Sequence, residues 1–178
     1  MEKLFNLPED VSIDYVHQVC LGVVKTVLLN FKRALKVEQL ERIDSILVKA
    51  RLPSVIFSRQ LRRISALKYW KASELKLFML YGFVVLWEYL TSDLFCHFYL
   101  LSESVRLLCT AETPAVVRVA EKCLYTFSRN VKDFYGEAGQ IYNVHAVTHL
   151  ANQVNFLTCF CILNTDQVHF AVLFWSFQ

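Results

Sequence analysis

Two histidines stand four residues apart in Ile141-Tyr-Asn-Val-His-Ala-Val-Thr-His-Leu150, and near the other end Ile13-Asp-Tyr-Val-His17 sets a carboxylate three residues ahead of an imidazole. On a helix, spacings of three and four put both side chains on one face, so each stretch offers a pair of metal-binding groups. Asp14, His17, His145 and His149 together form an Asp/His set that suits tetrahedral zinc, with bonds of roughly 2.0–2.2 Å. A structural Zn2+ shared by all four would clamp the first helix of the chain to the last. The competing reading is of hydrogen-bonded core or boundary histidines, the commoner state of a histidine on an apolar helix. Ala146 follows the first histidine where a zinc protease carries glutamate, so protease chemistry is not expected.

The clamp requires the chain between the pairs to be helical. Its 178 residues contain only 4 Gly and 3 Pro, with 55% hydrophobic and 14% aromatic side chains. So few breakers predict long helices and a mainly α, multi-helix single domain, and exclude disorder, collagen-like repeats and turn-rich β architectures. A charged fraction of 20% and a mean hydropathy of +0.35 imply apolar surface that a second copy or another subunit would cover. The cysteines Cys20, Cys96, Cys109, Cys123, Cys159 and Cys161 follow no framework or C-x-x-C spacing and read as reduced thiols. The N-terminal stretch has no basic region followed by a long apolar run, so an intracellular location, nucleus or cytoplasm, is expected.

Along the chain, Ser12 is placed to cap a helix carrying Val16, Val19, Cys20, Val23, Val27 and Phe31 on one face. A second helix is expected over residues 37–50 and ends before Pro53. Residues 75–90 are apolar nearly all round, yet the run between Lys76 and Glu88 is shorter than the ~20 residues of a membrane span, which makes it a buried core helix. Further helices are expected over 93–109, with His97 in the core, and over 116–134, with Thr113 as cap, Pro114 in the first position, and Val119, Cys123, Phe127 and Val131 inward. The histidine helix follows over 143–156. Residues 158–178 form a divergent apolar tail behind the domain of residues 1–157, with a short hairpin near Asn164 as one reading.

Between the second helix and the apolar run lies a basic window. Arg51, Arg59, Arg62, Arg63, Lys68, Lys71 and Lys76 face only Glu74, a local charge of +6 within a chain whose total is +3. Tyr69 and Trp70 lie inside it. Cations that neutralise phosphates, with aromatics that can stack on bases, are what a non-specific DNA surface requires. A solvated loop and helix face is the plain alternative.

Four blocks also resemble a known family. Asp14-Tyr-Val-His-Gln-Val-Cys-Leu-Gly-Val-Val-Lys25, Arg51-Leu-Pro-Ser54, Trp70-Lys-Ala-Ser-Glu-Leu-Lys-Leu-Phe-Met-Leu-Tyr81 and Tyr142-Asn-Val-His-Ala-Val-Thr-His-Leu150 are similar, in order, to the C-terminal half of CACTA (En/Spm-type) DNA transposases in their animal, transposase domain-containing form. The resemblance implies a ribonuclease-H-like core with a helical insertion, joining DNA ends with two Mg2+ ions about 3.5–4 Å apart on three carboxylates. Asp14 and His17 match the family's C/D-x-x-H pair, which makes Asp14 either the second acid or an accessory ligand, and His145 with His149 match the histidines before the last block. The first acid and its strands would precede Met1, and the tail replaces the block that holds the last acid. The chain therefore reads as the insertion with flanking pieces of the core. It would use Mg2+ only if another source supplied the missing acids.

Overall fold

The computed structural model describes residues 13–50 and 59–156, and among these every regular element is helical and no strand occurs. Ser12, Arg51, Pro53 and the 158–178 tail lie outside the described residues. A π-helical segment, Tyr15–Val24, leads directly into α1 (Lys25–Ala34), followed by α2 (Val37–Lys49) and a 3-10 segment, Ile64–Tyr69. Next come α3 (Ala72–Leu77), a π turn Phe78–Gly82, a 3-10 turn Phe83–Leu86, and the long α4 (Ser92–Cys109) and α5 (Pro114–Tyr135). The chain closes on α6 (Tyr142–Ala146), a 3-10 turn Val147–His149 and α7 (Leu150–Phe156).

The first helix starts two residues later than expected, and Asp14 is its cap. The amides of Val16 and His17 donate to Asp14 Oδ1 at 2.8 and 3.1 Å, filling two of the orphan donors at a helix start. At the end of the segment the Lys25 amide reaches back five residues to the Cys20 carbonyl, a wider turn than the α-helix makes. That changes the angular phase of the side chains. Tyr15, Val19, Cys20, Val23 and Val24 face inward, whereas Val16, expected in the core, is 39% exposed.

A similar change of pitch alters the apolar stretch 75–90, which is three short pieces rather than one core helix. The turn widens at 78–82, tightens at 83–86, and carries Trp87 out to 57% exposure, while Leu75, Phe78, Met79 and Leu86 stay buried. Gly82 sits at the switch, where an added Cβ would lie 2.9 Å from both Leu61 and Phe78.

α4 and α5 form an antiparallel hairpin, the largest contact between elements. Thr113 occupies the cap position of α5 without a capping bond, Pro114 opens the helix, and Gly136, at φ 69°, ends it. The inward residues are Val117, Ala120, Leu124, Phe127 and Val131. Val119 is 51% exposed, so the buried stripe lies beside the one expected. Buried His97 ties the hairpin together: its Nε2–H donates to the Phe127 carbonyl and its Nδ1 accepts from the Tyr135 hydroxyl, each at 3.0 Å. Rings of Phe127 and Phe134 flank it at 4.6 and 4.4 Å.

One apolar cluster runs from Ile13 to Ala151, with Phe31 of α1 meeting Phe98 of α4 edge to face at 5.6 Å. Among the described residues no helix is long and apolar enough to cross a membrane.

Candidate nucleic-acid interface and histidine pairs

The basic window folds around its 3-10 segment. Ile64, Leu67 and Trp70 point inward, and the Trp70 indole donates to the Arg63 carbonyl at 3.1 Å. Trp70, 2% exposed, is therefore a core anchor and offers no ring to a base. The period-three spacing that buries these residues leaves Arg63, Lys68 and Tyr69 outside, alongside exposed Arg59 and Lys71. Asp44 of α2 reaches under the segment and accepts from the Ser65 amide at 3.2 Å.

Two expected cations serve other purposes. The Arg62 guanidinium grips Glu74 through two hydrogen bonds, one of them 2.8 Å long, and donates a third to the Tyr69 carbonyl at 2.6 Å. Glu74 is 1% exposed. Burial pushes its carboxyl up, but Arg62 and the Lys71 amide outweigh that and hold it below its ordinary value, as a charge-assisted pair does. Lys76 is half-buried, and burial lowers its ammonium pKa against the opposing effect of Cys109 and Cys20. Arg62, though exposed, is therefore neutralised by its partner, and Lys76 is only partly accessible.

Two lysines that the window did not contain join it. Lys25 Nζ donates to the Lys68 carbonyl at 3.1 Å, and Lys32 Nζ donates to the Ser65 carbonyl. They are seven residues apart, two helical turns, and that spacing was a legible signal for one shared face of α1. An ammonium carries three donors, so each lysine retains N–H groups for a phosphate after meeting its carbonyl. Lys25 and Lys32 thus join a stretch, 59–71, that exposes Arg59, Arg63, Lys68 and Lys71 together with Tyr69. No family model matches the chain, and neither a curated protein nor a solved structure is significantly similar to it.

The histidine pairs form locally. His17 Nδ1–H donates to Asp14 Oδ2 at 2.6 Å, and this bond, first among the causes, holds the Asp14 carboxyl below its ordinary value. Asp14 thereby caps the helix with one oxygen and orients the imidazole with the other, which leaves His17 Nε2 as the outward lone pair. At the far end His145 Nε2 and His149 Nε2 stand 3.5 Å apart.

The two segments do lie side by side: α6 packs on the Tyr15–Val24 segment, at a point where a Cβ on Gly22 would collide with the Asn143 side chain. Yet among the described residues no three His, Cys, Asp or Glu side chains come together as a metal-binding group. The four expected ligands stand as two pairs.

Proposed function

We propose that this chain is a transposase-derived helical module that holds DNA by its backbone, without sequence preference and without a complete catalytic set of its own. The helical domain corresponds in this reading to the insertion of a ribonuclease-H-like transposase core, working in the nucleus beside a second copy or another transposase subunit. The observation that carries the reading is that Lys25 and Lys32 of α1 reach carbonyls of the 3-10 segment Ile64–Tyr69, which carries exposed Lys68 and is flanked in the chain by exposed Arg59, Arg63 and Lys71. Asp14 acts as an accessory group, since both its oxygens already serve the helix start and His17. Mg2+ chemistry would require acids from outside this chain.

The test is DNA affinity as a function of salt. Replacing Arg59, Arg63, Lys68 and Lys71 together by Ala should abolish most binding and reduce the slope of log affinity against log salt by about three to four. An unchanged slope would sink the proposal. Arg62 is left intact in that variant, because its loss would confuse binding with folding.

A second reading, a structural zinc ion with no DNA role, draws on the His145–His149 pair, although among the described residues no third ligand joins it. Two zinc–nitrogen bonds of roughly 2.0–2.1 Å at the tetrahedral angle subtend about 3.3 Å, close to the 3.5 Å between His145 Nε2 and His149 Nε2. His17, oriented by Asp14, has the form of a histidine ligand backed by a carboxylate. Zinc content and thermal unfolding of the wild type and of His145→Ala with His149→Ala decide it. Loss of metal and stability together supports the ion; a metal-free wild type with an indifferent double variant dismisses it.

A further inference from the structure

We infer that the interface takes single-stranded DNA in preference to duplex, with Tyr69 as the platform on which an unpaired base stacks. The inference rests on the DNA-backbone reading above and goes beyond it to the state of the nucleic acid. Tyr69 is 61% exposed, the Lys68 ammonium lies 4.6 Å from its ring centroid, and Lys25 reaches the Lys68 carbonyl beside it. A duplex offers phosphates to the cations but keeps its base faces stacked inside. Only an unpaired strand can present a face to the ring while its phosphates meet the adjacent Lys68 and Lys25.

The backbone of Tyr69 is anchored on both sides. Its carbonyl accepts from Arg62, which is anchored on the buried Glu74. The preceding carbonyl accepts from Lys25, and the next residue, Trp70, is fixed in the core by its indole bond to Arg63. The backbone on both sides of Tyr69 is thus fixed before any ligand arrives, which lowers the ordering cost of binding. A base on the face now covered by Lys68 would release that ammonium toward the adjacent phosphate, exchanging a cation–π contact for an ion pair and a stack.

The experiment measures the fluorescence anisotropy of a labelled oligothymidylate and of a labelled hairpin duplex with the full chain, over a salt series. The wild type should prefer the oligothymidylate. Tyr69→Ala should weaken that complex roughly tenfold while leaving its salt slope and the duplex affinity unchanged, and Tyr69→Phe, which keeps the ring, should retain it. Lys68→Ala should lower the salt slope on both ligands. If Tyr69→Ala leaves oligothymidylate binding intact while the charge variants weaken it, stacking is overturned and the backbone reading stands. If the wild type retains neither ligand, both fall together.

Discussion

Arg62 has the sequence character of a phosphate contact and the structural character of a rivet. Its partner Glu74 is sealed from solvent, and removing either side chain strands the other or opens the 71–74 turn. Glu74→Gln should cost about 2 kcal/mol in urea unfolding, the range for hydrogen bonds to a charged group, even though it makes the surface more cationic. An unchanged midpoint would show that the pair contributes nothing. His97 supplies a second residue-scale test. Burial lowers its pKa from 6.5, against a smaller opposing effect of the Phe127 carbonyl, so the unfolded chain binds the proton more readily than the folded one. Its contribution is therefore complete above 6.5 and is lost as the pH falls through the lowered folded value. Stability should decline as the pH falls below 6.5, and His97→Asn should flatten that slope while lowering the plateau.

Among the elements, the bounds of α4 and α5 were legible to within two residues, because Pro114 opens α5 and Gly136 ends it, although the inward face of α5 was only half legible. The stretches 15–24 and 78–86 were not, because their apolar residues fit several pitches equally and only the neighbouring elements select among them. Val16, expected inside, is exposed for that reason, and Tyr15 is buried beside it. The basic surface was half legible. Its exposed members in 59–71 lie in one window, whereas Lys25 and Lys32 reach it through tertiary packing, and charge counting registers neither the pairing of Arg62 with buried Glu74 nor the partial burial of Lys76. The crossing of the first segment with α6 depends on one missing side chain: a Cβ on Gly22 would press on Asn143. Gly22→Ala should destabilise by about 1 kcal/mol despite the better helix propensity of alanine. Adding Asn143→Ala should restore part of the loss in a double-mutant cycle; additive effects would place the strain elsewhere.

For the whole molecule, a net charge of +3 predicts weak attraction to DNA, whereas a cluster of six cations predicts a steep salt response. The two are separable. Lys122→Ala with Arg129→Ala removes two exposed cations from α5, whose main contacts are with α4, α7 and the 147–149 turn rather than the basic segment. This pair should leave the salt slope of DNA binding unchanged, while Arg63→Ala with Lys68→Ala, an equal change in net charge, should reduce it by about two. Equal slopes for the two variants would mean that diffuse charge governs binding.

The cysteines give the same molecule a graded chemical clock. Cys96 is exposed on α4, whereas burial pushes the Cys20 thiol up to about 11 and the Cys109 thiol up to about 12. Since only the thiolate alkylates, a maleimide added to a chain with Cys109, Cys123, Cys159 and Cys161 changed to serine should modify Cys96 first. Cys20 would follow only as fast as the Tyr15–Val24 segment parts from α3, so the lag between the two adducts in a mass spectrum times how often the first turns of this protein come loose.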